Sequence, residues 1–239
     1  MIRTEAGPVI AHNSGYGGWI GAWKAFGADK HFKSDEEIKQ KIIAWRKQSP
    51  AIVEFWGGQI RKNPHLYRFE HERFGVEGAV VDAIENPNTP VKINQYLSCV
   101  FDTDLDVLNI ILPSGRKLYY QQPRLKTVEH RFAPVDVEEI SFMSWDHIKK
   151  WHRDTTYAGK LVENIVQAVS RDLLADAMLR IEAAGYPIVM HVHDEIISEV
   201  PKGFGSVEEF ERIMSTNPDW AKGWPVRAKG GWRGKRYRK

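Results

Sequence analysis

Cysteine is almost missing from this chain of 239 residues, in which Cys99 stands alone. An internal disulfide is therefore excluded, and a reducing, cytoplasmic setting is the natural one. Long apolar runs are missing too. No stretch approaches the ~20 residues that a membrane span needs, so no membrane partner is expected. The first residues, MIRTEAGPVIAHNSG, lack the apolar core of a secretory signal. There is no internal repeat and no low-complexity linker. Nor is there a large excess of charge of one sign, since the net charge is +3. With 42% apolar and 27% charged residues, what remains describes an ordinary globular protein with material for a real core.

The charge is unevenly placed. The tail RAKGGWRGKRYRK, 227–239, holds seven Lys or Arg and no acid, which leaves −4 on residues 1–226. Arg233, Lys235 and Arg236, interleaved with Trp232 and Tyr237, suit a polyanion such as nucleic acid. The plain alternative is a solvated, partly disordered terminus. Nine tryptophans are spread along the chain, which favours packing roles over one binding platform.

Local patterns give the elements. The stretch 7–26, GPVIAHNSGYGGWIGAWKAF, is a helical candidate with Pro8 in its first turn. Beyond Gly7, the four glycines at 15, 17, 18 and 21 make it a poor helix, and they suggest a surface or ligand close to the backbone. Ser34 and Glu37 form a capping box that opens a helix through EEIKQKIIAWRKQ. Pro50 ends that pattern, and AIVEFWGGQI is expected to form a second helix. VLNIILPSGRKLYY, 107–120, reads as a hairpin around a Pro-Ser-Gly turn. KLVENIVQAVSRDLLADAMLRIEAA, 160–184, is the clearest helix and is stopped by Gly185. Its expected buried stripe is Val162, Ile165, Val166, Val169, Leu173 and Ala177. Lys160, Asn164, Gln167 and Arg171 share another face. Ser206 and Glu209 cap a short last helix before Pro218.

The segment IVMHVHDEIISEV, 188–200, is expected to be a buried hairpin with His193, Asp194 and Glu195 at its crest. Adjacent carboxylates between apolar strands are costly unless something neutralises them. One reading is a transition-metal site, since His-x-His with a nearby Asp can bind zinc. Against it, Ile196 and Ile197 stand where a closing histidine would be needed. A second is an exposed turn with no ligand. A third is a hard-cation site, because carboxylates on a rigid turn suit Mg²⁺ with water and phosphates completing the shell. Two such ions stabilise the attacking and leaving oxygens of an in-line phosphoryl displacement. That arrangement needs acids from at least two segments.

YAGKLVENIVQAVSRDLL, followed by a helix and MHVHDEIISEV, closely resembles the carboxy-terminal palm of family A DNA polymerases, especially phage and prophage members. GYGGWIGAW at 15–23 is similar to the end of that family's fingers helix, and LPSGRKLYY to its Gly-Arg hairpin. The resemblance implies DNA-templated synthesis by a two-metal mechanism, with primer–template DNA and deoxynucleoside triphosphates as partners. It places Asp194 on a catalytic Mg²⁺, Glu195 beside it and His193 near the primer terminus. Tyr16 becomes the base-stacking tyrosine, with His12 one helical turn before it on the nucleotide side. Arg116, Lys160, Asn164, Gln167 and Arg171 fall to DNA. The family's triphosphate-binding Lys would sit near Gly7 and Pro8, which carry no charge.

The implied fold is α+β: helical fingers over 1–150, then a palm over 151–239 with a long helix on an antiparallel sheet and a basic tail. The family's second metal-binding Asp lies on a strand before the fingers helix. The resemblance thus implies one of three origins: a split polymerase whose separate N-terminal polypeptide supplies it, a truncated prophage remnant, or a misplaced start codon. A non-catalytic nucleic-acid-binding remnant is the competing expectation.

Overall fold

In a computed structural model of the chain, residues 15–63, 65, 68–131 and 133–236 are described. The chain divides into two units. One holds the chain up to Leu112 together with Arg116–Ile165, and the other holds Pro113–Gly115 and everything from Val166 onward.

The first unit opens with α1 (Ile20–Ala25), α2 (Asp35–Gln48) and α3 (Pro50–Trp56). Ser34 Oγ accepts from Glu37 N at 3.2 Å, as the capping box requires. The return arm is displaced by one residue, because Glu37 Oε2 accepts from Lys33 N at 2.9 Å. Ile38 and Ile42 of α2 are fully buried with Trp23 and Ala28, and Ile20 and Phe32 pack against them. The helix expected over 7–26 is much shorter within the described residues. Residues 15–17 form a turn and α1 follows, while 7–14 lie outside them. Glycine's low helix propensity prevails there. The helix expected through AIVEFWGGQI ends at Trp56, and Gly58 begins a strand.

Strands β1 (Gly58–Asn63) and β2 (Arg68–Phe74) form a two-stranded sheet, and α4 (Gly75–Glu85) follows directly. Then comes a six-stranded antiparallel meander: β3 (Val91–Lys92), β4 (Ser98–Asp102), β5 (Val107–Ile111), β6 (Lys117–Glu129), β7 (Asp136–Asp146) and β8 (Lys150–Thr156). The expectation of helical fingers through residue 150 fails here, because strands occupy most of 91–156. Three of the connections are short turns, each with its own local chemistry. The Asp102 carboxylate accepts from Asp104 N and Leu105 N, both at 3.1 Å. Gly115 takes φ +83° in the Pro-Ser-Gly turn, and the Asp146 carboxylate accepts from Ile148 N and Lys149 N. Consecutive strands joined this way pair as neighbours.

The core of this unit includes Val76, Val80 and Val81 of α4 and Leu108 and Ile110 of β5, all essentially unexposed. Cys99 lies among the fully buried residues, its Sγ 3.3 Å from the Ala79 carbonyl. Burial, with the Asp82 charge adding to it, pushes the thiol up to about 12, so it is no nucleophile.

Helix α5 (Ala158–Ala183) starts in the first unit and ends in the second. Its N-terminus is capped from far away in sequence, with Ala158 N donating to Glu77 Oε2 at 3.1 Å. Its buried positions are Leu161, Val162, Ile165, Ala168, Ala177 and Ile181. Val166, expected inside, is instead exposed. The second unit continues with β9 (Ile188–Val192), β10 (Glu195–Ser198) and α6 (Val207–Met214). Ser206 caps α6 as expected, accepting from Glu209 N at 3.0 Å. Tyr186 is buried between Phe204 and Phe210, at 5.0 and 5.2 Å between ring centroids. The mixed helix and antiparallel sheet agree with the α+β expectation.

Candidate functional site

In the first unit, Tyr16 sits on a turn whose backbone is held at three successive residues. Gly15 O accepts from the Trp56 indole at 2.7 Å, and Gly17 O accepts from Arg46 at 3.2 Å. Between them, the Tyr16 carbonyl faces Gly159 so closely that a Cβ on Gly159 would fall 2.0 Å from its oxygen. The Arg46 guanidinium lies 4.9 Å from the Trp19 ring centroid and 5.3 Å from that of Trp56. Burial lowers the Arg46 pKa, although an arginine stays charged at neutral pH. Burial, and next the nearby Glu163 carboxylate, raise the Tyr16 phenol, which keeps it protonated. The close approach expected at the glycine-rich segment is therefore met by Gly159 against the Tyr16 carbonyl. A Cβ on Gly17 would make only a 3.6 Å contact with Gly159, and one on Gly21 would meet nothing within 4 Å. Gly159, Arg46 and Trp56 were missed in the sequence. The Ala-Gly pair at the start of a long helix was the available signal. His12 lies outside the described residues.

The polar stripe of α5 divides. Lys160 Nζ donates to Asp154 at 3.0 Å, and Asn164 Nδ2 donates to the Tyr120 hydroxyl at 3.0 Å. Both bonds serve the first unit's own packing. Further along, Gln167 and Arg171 are exposed in the second unit. Arg116 is also exposed, in the first unit directly after the Pro-Ser-Gly turn. That turn belongs to the second unit, where Ser114 Oγ donates to Asp172 Oδ2 of α5 at 2.5 Å.

The carboxylate hairpin lies in the second unit, and it differs from expectation in two ways. Its strands are not buried, since Val189 is 59% and Met190 43% exposed. Glu195 is not at the crest either, but pairs with Val192 as the first residue of β10. The turn is therefore only His193 and Asp194. His193 adopts φ +56°, a region that a two-residue hairpin demands and that glycine or asparagine fills more cheaply. A sparsely populated conformation at a tight turn is a reason to suspect function. Helix and hairpin are tied by Ile188 N, which donates to Glu182 Oε1 at 2.6 Å.

The Asp194 side chain is 90% exposed and that of His193 82%, with 3.9 Å between Oδ1 and Nδ1. Oxygen donors of this kind suit Mg²⁺ better than zinc. They fit one side of a coordination shell and no more. Among the described residues no group of three or more His, Cys, Asp or Glu converges where a metal ion could be held.

Over 226 residues, 95% of its length, the chain is 36% identical to a DNA polymerase of Bacillus phage SP02. It spans 31% of that protein's length. No family model and no solved structure matches the chain. Among the described residues, no helix is long and apolar enough to cross a membrane.

The basic tail is partly built into the second unit rather than wholly solvated. Arg233 donates to the carbonyls of Phe204 at 2.7 Å, Gly205 at 3.1 Å and Pro201 at 3.4 Å. Ala228 N donates to Ser215 Oγ and Gly231 N to Glu211 Oε1, both at 2.8 Å. Lys235 and Arg236 are exposed, and 237–239 lie outside the described residues. This division makes a prediction. Lys235→Gln with Arg236→Gln should lower the slope of log K against log salt for duplex DNA by up to about 0.9 per charge, with no change in melting temperature. Arg233→Ala should instead lower the melting temperature, because three backbone carbonyls lose their donor. A salt slope unchanged by the double substitution would remove Lys235 and Arg236 from the DNA interface.

Proposed function

We propose that this chain is the fingers and carboxy-terminal palm portion of a family A DNA polymerase, adding deoxynucleotides to a primer 3′-hydroxyl in the cytoplasm of a bacterial or phage-infected cell. The observation that carries the reading is the 36% identity to a phage DNA polymerase across 95% of the chain. Two features of the structure support it. The Tyr16 turn is held rigidly at its backbone, as a nucleotide-stacking group needs. The hairpin pairs only with itself among the described residues and leaves Val189 and Met190 in water. A two-stranded hairpin is marginal alone, and its free edges are open to pairing with a further strand.

In this reading Asp194 binds a catalytic Mg²⁺, and Glu195 supports it. A further strand, from the thumb and first palm portion of such a polymerase, brings the second Asp. Bound there, the metal pair would stabilise charge on the attacking and leaving oxygens. Tyr16 stacks on the incoming base, with His12 on the same side. Gln167, Arg171 and Arg116 meet the primer–template, joined by Lys235 and Arg236. Lys160 and Asn164, assigned to DNA by resemblance, and Arg233, assigned by the charge of the tail, also have structural bonds to keep. His193 stands beside the primer terminus.

The test is reconstitution. Primer–template, deoxynucleotides and Mg²⁺ are incubated with the chain alone, and then with a family A fragment carrying the thumb and first palm segments. Extension is expected only in the mixture. Robust extension by the 239-residue chain alone would refute the need for the thumb and first palm segments. A non-catalytic nucleic-acid-binding remnant is the second reading, favoured by the lack of a converging metal site among the described residues. No extension in either incubation, with DNA binding retained, would select it.

A further inference from the structure

The tip of the β7–β8 hairpin carries an aromatic and basic surface that the polymerase reading does not use. Trp145 and Trp151 are directly paired across the two strands, and they remain 52% and 55% exposed. The neighbouring strand β6 pairs Gln121 with Met143. Tyr119, two residues before Gln121 on β6 and 64% exposed, shares a face with Gln121 and Met143, and Trp145 lies on that same face. Three exposed aromatics therefore share one face of three adjacent strands, which lie about 4.8 Å apart. All three lie in the first unit.

The charge around these aromatics has one sign. Alternation along each strand puts Lys117 and Gln121 on the Tyr119 face, Met143 on the Trp145 face and Arg153 on the Trp151 face. No Asp or Glu shares that face within two residues of the three aromatics. At the tip, Lys149 and Lys150 are exposed, and Lys150 Nζ stands 5.8 Å from the Trp145 ring centroid. The nearest acid, Asp146, already accepts from two backbone amides and lies 3.6 Å from His152. Ile148 at the very tip is 92% exposed.

A cross-strand tryptophan pair helps to close a hairpin, but that task does not explain Tyr119 or the cations. Exposed aromatic faces flanked by lysine match unpaired bases, whose π-faces stack while phosphates meet the cations. A duplex hides its base faces and offers such a surface nothing to stack on.

We propose that Tyr119, Trp145 and Trp151 form a stacking platform for single-stranded nucleic acid, with Lys117, Lys149 and Lys150 facing its phosphates. The proposal goes beyond the polymerase reading and requires neither Asp194 nor any metal. Its readout contains no synthesis step, so failure of that reading leaves it standing.

The full chain is titrated against labelled oligothymidylate, oligouridylate and a blunt duplex, and anisotropy is recorded. Trp151→Ala should weaken single-strand binding roughly ten-fold, Trp151→Phe should restore most of it, and duplex affinity should hardly move. Equal loss on both oligomers marks the bases as the ligand, and a larger loss on one adds recognition of the sugar or of the thymine methyl group. If circular dichroism shows that Trp151→Ala disrupts the hairpin, Tyr119→Ala on β6 carries the same test. Unchanged single-strand affinity in a folded variant would overturn the proposal, as would equal losses on strand and duplex. So would a dimer that Trp151→Ala dissolves without altering oligomer affinity.

Discussion

Asp194→Ala is expected to cut primer extension in the reconstituted mixture by at least about a thousand-fold. The melting temperature should meanwhile stay within about 2 °C of the parent. The two halves of that result have separate causes. Removing an ionised ligand from a phosphoryl-transfer site takes away stabilisation that exists mainly in the transition state. Folding, in contrast, gains little from a carboxylate that is 90% exposed at a two-residue turn. Alanine leaves no cavity there, and the left-handed residue is His193, not Asp194. Melting with and without Mg²⁺ or Mn²⁺ gives an independent readout, since a ligand of the folded state raises its stability. Equal metal-induced shifts in parent and variant would end the assignment of Asp194 to metal. Large destabilisation without metal would show a structural turn instead.

Gly159→Ala should destabilise the protein by about 1–3 kcal/mol, although alanine is the better helix former. Propensity alone favours the substitution by about 1 kcal/mol inside a helix. Against that stands a Cβ placed 2.0 Å from the Tyr16 oxygen and 2.7 Å from its carbonyl carbon. Both are backbone atoms, and the turn around them is fixed by Trp56 and Arg46, so neither side yields cheaply. Overpacking therefore wins. Gly21 provides the matched control, because it lies in α1 and a Cβ there meets nothing within 4 Å. Gly21→Ala should stabilise the chain by roughly 0.5–1 kcal/mol. Thermal melting of the two variants gives opposite signs if the contact is as described. In the reconstituted mixture, Gly159→Ala should also raise the KM for deoxynucleotides, through displacement of Tyr16. Similar melting temperatures for the two variants would mean that the Tyr16 turn moves aside freely.

The sequence by itself determined the features that local chemistry controls. Caps at Ser34 and Ser206, the Pro-Ser-Gly turn, the long helix stopped near Gly185 and the hairpin after it all depend on residues within a few positions. The order of the motifs, from the GYGG turn through the helix to HDE, was legible for the same reason. Tertiary structure decided what those elements touch. Outside the 107–120 hairpin, the strands of the six-stranded sheet mix polar and apolar positions too irregularly to announce themselves, although two of them run to 13 and 11 residues. Lys160 and Asn164 look like part of one polar stripe, yet Asp154 and Tyr120, on two different strands, claim them. Arg233 looks like one of seven tail cations, and three loop carbonyls hold it. The hairpin strands read as buried because Ile and Val usually are, whereas a hairpin of two strands has too little neighbouring surface to cover both faces. Spacing along a chain reports which side chains share a face, and only the fold reports what that face meets.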